Sequence, residues 1–175
     1  MKIREFEPST DRAGVRRCFV ELQEVERALD PQIPAGEEIA DAYLVLMFER
    51  CAEFGGVVLV AESGGEVAGF VTVLTGYRSK EPDDDPAPFA YVSDLVVLEM
   101  HRGRGAGRAL LHAAESRARE AGAPRLGLSV KAGNDPALAL YAAEGFTPVE
   151  LELSKPLDSG ATDRPEHERT PGARR

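Results

Sequence analysis

Residues 89–108 read FAYVSDLVVLEMHRGRGAGR. Phe89 to Leu98 is an apolar run of strand length, and Gly105 to Ala121 reads as a helix with Leu110, Ala113, Ala114 and Ala118 on its inward face. Gly103, Gly105 and Gly107 lie between the two. Glycines so close together cost backbone entropy unless the chain must turn tightly or let another group come near. A strand that turns through glycine into a helix offers free backbone N–H groups at the positive end of the helix dipole, which suits phosphate. Arg102, Arg104 and Arg108 add fixed positive charge at the same place. The stretch therefore asks for a phosphorylated ligand at the turn.

Downstream, Gly122 ends the helix and Arg125 to Val130 reads as another strand. A strand, helix and strand in that order make the two strands parallel with a right-handed crossover. Asp135-Pro136 opens a short helix to Glu144, Gly145 stands where a C-terminal cap is wanted, and Phe146 to Leu153 supplies one or two final strands. Pro156 to Arg175 has little apolar content and is expected to be a mobile tail.

Upstream, Lys2 to Phe6 reads as a strand, followed by a helix from Arg12 to Leu29 on the spacing of Val15, Cys18, Phe19, Leu22, Val25 and Leu29. Pro31 and Pro34 break it, and Glu37 to Phe54 is a second helix stopped by Gly55-Gly56. Val57 to Ala61 and Val67 to Thr75 flank Gly64-Gly65 as a hairpin. Arg78 to Pro88 is a loop whose Asp83-Asp84-Asp85 run reads as a solvated tip. The expected fold is one α/β domain over residues 1–155, a mixed twisted sheet of about six or seven strands flanked by helices.

At 175 residues the chain is one domain and a tail rather than a multidomain assembly. Its 30 acidic against 21 basic residues, a net charge of −9, argue against a nucleic-acid partner, which would need a basic surface. Residues 101–155 are the exception, with 8 bases against 6 acids, and they contain the glycine turn. Cys18 and Cys51 fall in helices and read as reduced core thiols. His101, His112 and His167 are too scattered for a metal site, so no metal is expected. Met1 to Thr10 lacks an apolar leader and no apolar run approaches a membrane span, so the expectation is a soluble cytoplasmic protein without a membrane partner. Whether it forms a homodimer stays open.

Spacing narrows the ligand. A P-loop needs Lys-Ser/Thr after its last glycine, and Gly107 is followed by Arg108-Ala109. A dinucleotide fingerprint needs G-x-G-x-x-G, and counted from Gly103-x-Gly105 its third glycine would stand where Arg108 does. What fits is R-x-x-G-x-G over Arg102, Gly105 and Gly107, and here the chain resembles the GNAT superfamily of acyl-CoA-dependent N-acyltransferases. Asn134 to Phe146 (NDPALALYAAEGF) is similar to that family's N-x(6)-Y-x(3)-G-F segment. The resemblance covers about residues 2–155.

The resemblance implies acetyl-CoA as co-substrate, with the pantetheine arm beside Leu95, Val96 and Val97. It implies the pyrophosphate on the backbone of Arg102, Gly103, Arg104, Gly105, Ala106, Gly107 and Arg108. It also implies Asn134 hydrogen-bonding the pantetheine and Tyr141 near the thioester sulfur as general acid. The reaction would be direct attack of a primary amine on the acetyl carbonyl, which needs a proton acceptor for the amine. Relatives often carry a glutamate on the apolar strand, on the face that ideal alternation assigns here to Tyr91, Ser93, Leu95 and Val97. None of these is a carboxylate, and Asp94 qualifies only if a bulge re-aims it. Glu21 and Glu24 are conceivable through water. The acidic N-terminal helices favour an acceptor that is cationic before attack, whether a small molecule or a peptide. The lack of an assigned base leaves a non-catalytic acyl-CoA-binding domain as the rival. A nucleotide-binding or kinase-like use of the turn is a second, disfavoured by the missing Lys-Ser/Thr pair.

Overall fold

The computed structural model describes residues 1–79 and 85–155. Asp83 and Asp84 of the acidic loop and the expected tail from Pro156 to Arg175 lie outside them. The elements run β1 (Lys2–Glu5), α1 (Pro8–Leu29), α2 (Gly36–Phe54), β2 (Val57–Ser63), β3 (Glu66–Tyr77), β4 (Phe89–Val97), α3 (Ala106–Glu120), β5 (Leu126–Leu128) and α4 (Asp135–Ala143).

Helix α1 begins at Pro8, ahead of where apolar periodicity alone would start it. Proline costs nothing in the first turn, where its missing N–H would have no partner, and the Glu7 side chain caps the N–H of Ser9. Asp11 is turned inward and accepts both Nη atoms of Arg4, at 2.5 and 2.9 Å. The Arg4 guanidinium holds its carboxyl down at about 2. This pair ties β1 to the start of α1.

The sheet order is β1-β2-β3-β4-β5, antiparallel through β4, with β5 parallel to β4 as the helical crossover requires. The β2–β3 hairpin turns on Gly64 and Gly65, both with positive φ (63° and 83°), as a tight turn of this hand demands. One face of the sheet packs under α1 and α2 through Val15, Phe19, Leu44, Met47, Phe70 and Val96. The other packs under α3 through Val71, Val73, Val92, Leu110, Leu111 and Ala114. Cys18 and Cys51 are free, and burial pushes their thiols up to about 12 and about 11. Among the described residues no helix is long and apolar enough to cross a membrane.

Among the described residues the sheet has five strands, fewer than expected, because Phe146 to Leu153 forms none. The alternation of Val149, Leu151 and Leu153 with Glu150 and Glu152 has a strand's period, yet these three apolar residues are 93%, 73% and 83% exposed. A strand needs a backbone partner as well as a pattern. Here β5, only three residues long, pairs with β4 alone.

Candidate active site

The rungs between β4 and β5 are Ala90–Leu126, Tyr91–Gly127 and Val92–Leu128, after which β4 runs on to Val97 paired with β3 but not with β5. The two strands separate beyond Val92, and Leu95, Val96 and Val97 lie along the opening. The Val97 carbonyl accepts a hydrogen bond from Arg102 Nε at 2.9 Å.

The same point carries a bulge. Against β3, Asp94 stands opposite Thr72 and Val92 opposite Val73, so Ser93 is an extra residue in β4. An extra residue breaks the alternation of faces. Ala90 and Val92 belong to the α3 layer, and beyond the bulge Leu95 and Val97 pack on that layer too, while Val96 joins the α1–α2 layer. The face expected to unite Tyr91, Ser93, Leu95 and Val97 is therefore split at Ser93, and Asp94 is turned toward the helices α1 and α2.

Asp94 is 3% exposed and accepts through both oxygens, from Tyr43 Oη at 2.6 Å and from Ser93 Oγ at 2.7 Å. Tyr43, on α2, stacks on Phe19 of α1 with ring centroids 4.1 Å apart. Burial and the neighbouring Asp94 charge push its phenol far above the ordinary value. Thr72, opposite Asp94, keeps a buried hydroxyl with no partner among the described residues.

Glu26 completes this side. It lies seven residues after Phe19 on α1, hence on the same helix face, and four before Asp30, which pairs with Lys131 at 2.9 Å. Burial raises its carboxyl, opposed by Lys131 and reinforced by Asp94. Its charge also reaches Tyr43 and Tyr141. Tyr43 and Asp94 are hydrogen-bonded to one another on the α1–α2 side, and the Glu26 charge lies within electrostatic range of both and of Tyr141 on the α3 side.

Tyr141 is partly buried against the α3 layer and Phe146. Burial, helped by the Glu26 charge, pushes its phenol up to about 12. Its hydroxyl makes no hydrogen bond among the described residues. Asn134 is the N-cap of α4, its Oδ1 accepting from the Ala137 N–H at 3.3 Å.

The glycine turn follows the C-terminal end of β4. Gly103 and Gly105 have φ of 71° and 81°, a conformation other residues adopt only with strain, and a Cβ at either would meet nothing within 4 Å. The first hydrogen bond of α3 runs from Ala109 N–H to Gly105 O, so the N–H groups of Ala106, Gly107 and Arg108 precede its ladder. Gly107 lets α4 come close, since a Cβ there would stand 3.2 Å from Leu140 Cδ2.

The three arginines differ from one another. Arg102 is tied to Glu21 at 2.5 Å, and that Glu21 oxygen also accepts from the Glu99 N–H. Arg108 is tied at 2.5 Å to Glu144, which His112 reaches at 2.6 Å. Hydrogen bonds from His112 and Arg108 hold the Glu144 carboxyl below its ordinary value. Arg104 is exposed. Glu21 is thus a structural partner of the turn, and Glu24 accepts from the Gly36 N–H at 2.8 Å, joining α1 to α2. Asp94 was legible only as a conditional candidate, and Glu26, Tyr43 and Glu144 were not read from the sequence.

The arrangement combines a glycine turn with N–H groups outside the helical ladder, a stretch of β4 that β5 leaves uncovered, and a buried carboxylate–phenol pair. A family model described as Acetyltransferase (GNAT) family matches residues 22–146. An N-alpha-acetyltransferase of Sulfurisphaera tokodaii is 31% identical over 106 residues, 59% of this chain and 64% of that protein, so the chain covers less than two thirds of this relative. The Bacillus subtilis protein described as uncharacterized N-acetyltransferase YhfO is 31% identical over 147 residues, covering 83% of this chain and 89% of its own length. Among solved structures, an aminoglycoside antibiotic 6'-N-acetyltransferase of Acinetobacter haemolyticus superposes with a TM-score of 0.62 at 19% identity, over 90% of this chain and 100% of that one, a likeness of fold. With its glycine turn, its Asn-to-Gly-Phe segment and most of its length inside the family model, the chain belongs to the GNAT acetyltransferase family.

Proposed function

We propose that the protein is an acetyl-CoA-dependent N-acetyltransferase that passes the acetyl group to a primary amine by direct attack in a ternary complex. The observation that carries this reading is the β4 bulge, which sets Asp94 beside the opening that starts next to it.

The residues present fit the donor. The turn from Arg102 to Arg108 has open space over Gly103 and Gly105 and N–H groups outside the helical ladder, and would hold the pyrophosphate. Leu95, Val96 and Val97 would offer main-chain groups to the pantetheine arm. Asn134, whose side-chain oxygen is occupied as a cap, would contribute its amide N–H. Acetyl-CoA supplies the thioester when bound. Asp94 is the proton acceptor for the attacking amine. Tyr141 is the donor to the leaving sulfur, since its phenol keeps its proton at neutral pH and its hydroxyl is uncommitted.

Glu26 and Asp94 favour an acceptor that arrives as a cation, a small-molecule amine or a peptide amine. The non-catalytic alternative rested on the lack of an assigned carboxylate base, and the buried Asp94 beside Ser93 supports the catalytic reading over it.

Calorimetric titration with acetyl-CoA, CoA and ATP tests the donor, and thiol release in the presence of 1,4-diaminobutane, an aminoglycoside or a peptide with a free N-terminus tests transfer. Saturable binding of acetyl-CoA but not ATP, with amine-dependent thiol release, is expected. Binding without release for every amine would leave an acyl-CoA binder, and no binding would overturn the reading.

Tyr141→Phe is expected to leave acetyl-CoA affinity unchanged and to slow transfer about 10²-fold. With the phenol raised to about 12, the wild-type rate should not fall through loss of this proton at any assay pH up to 10. An unchanged rate in Tyr141→Phe would make Tyr141 a packing residue.

A further inference from the structure

Asp94, at 3% exposure, is all but sealed from the opening, and each of its oxygens is covered by a hydroxyl. An amine in the opening needs a carrier to reach it. The two hydroxyls differ in their capacity to carry a proton. Tyr43 is held between Phe19 and Asp94 with a strongly raised phenol, which makes it a fixed donor. Ser93 is half-buried and is the first β4 residue beyond the last rung to β5, where the opening starts. Because it is the extra residue of the bulge, it shares the α1–α2 face with Asp94 and donates to Oδ2 at 2.7 Å.

We propose that Ser93 relays the proton of the attacking amine to Asp94, an inference that rests on the acetyltransferase reading. An acceptor that arrives as an ammonium first gives one proton to solvent, and as the neutral amine nitrogen then forms its bond to the acetyl carbon, its N–H proton passes to Ser93 Oγ. The original Ser93 hydroxyl proton passes to Asp94 Oδ2. The carbon–sulfur bond breaks, and the sulfur takes a proton from Tyr141. The sum is amide plus thiol, with a neutral Ser93, a protonated Asp94 and a Tyr141 phenolate that exchange protons with solvent before the next turnover. Ser93 is in this scheme a catalytic residue, and Tyr43 a positioning residue that orients the carboxylate.

The test is single-turnover thiol release from acetyl-CoA with the fastest of the three amine probes named above, measured in mixtures of H2O and D2O. Two protons moving together give the wild type a bowed dependence of rate on deuterium fraction. Ser93→Ala is expected to lose about 10²-fold in rate at unchanged acetyl-CoA affinity, with a linear dependence. Ser93→Thr, which keeps the hydroxyl, should recover most of the rate and the bow. A linear dependence in the wild type, or a wild-type rate in Ser93→Ala, overturns the relay while leaving acetyl transfer intact. The wild-type measurement stands even if Ser93→Ala fails to fold. Absence of transfer with all three amines overturns the relay together with the reading beneath it.

Discussion

Asp94→Asn should lower the rate of acetyl transfer by about 10²- to 10⁴-fold, the usual contribution of a positioned general base. Acetyl-CoA affinity should be unchanged, because the Asp94 side chain faces α1 and α2, whereas the donor would be held by backbone groups of Leu95 to Val97 and of the glycine turn. The substitution keeps the shape of the side chain. The Asn oxygen can still accept from Tyr43, and the Ser93 hydroxyl can rotate to accept from the Asn amide, so the cluster stays hydrogen-bonded. The stability change should be about 1 kcal/mol. Single-turnover thiol release, calorimetric affinity and a thermal melt separate these quantities. A wild-type transfer rate in a folded Asp94→Asn protein would reduce Asp94 to a tether for Tyr43 and remove the main support for the proposed chemistry.

Gly105→Glu should abolish acetyl-CoA binding, a loss of at least about 100-fold, or roughly 3 kcal/mol. Gly105 has φ of 81°, so any side chain there is strained, by about 1–2 kcal/mol. Gly105→Ala carries that strain without the charge and is the control. The Cβ common to both variants would meet no atom within 4 Å. Their difference isolates a carboxylate placed over the N–H groups meant for a diphosphate. Equal affinities for the two folded variants would withdraw the phosphate from this turn.

The helices, the hairpin and the strand–helix–strand core were legible because each rests on a local pattern. The spacing of Val15, Cys18, Phe19 and Leu22 reports α1, Gly64-Gly65 reports the hairpin, and Gly103, Gly105 and Gly107 report the turn. What was not legible depends on pairing between distant segments. Val149, Leu151 and Leu153 alternate as a strand should, but a strand exists only where another backbone accepts it. The bulge at Ser93 is likewise a relation between β3 and β4. One signal was available: Ser93 and Asp94 are adjacent polar residues in an otherwise apolar run. In ideal alternation one of them would enter each hydrophobic layer, and a bulge gathers both on one side. Glu26 and Glu144 had no such signal, since a glutamate on a helix usually faces water.

The bulge also sets how β4 tolerates change. A strand is read in steps of two, and the extra residue at 93 interrupts that count between β4's two halves. A substitution at Ser93 alters one side chain. Deleting the residue would close the bulge into a regular ladder, Val92 and Asp94 on successive rungs, and would leave Asp94, Leu95, Val96 and Val97 on the sides they now occupy. What the extra residue contributes is therefore a hydroxyl beside Asp94 and a local bend, inserted without moving anything after it to the other face. It is the regular halves of β4, where a single deletion or insertion would need a new bulge to absorb it, whose length engineering must leave alone.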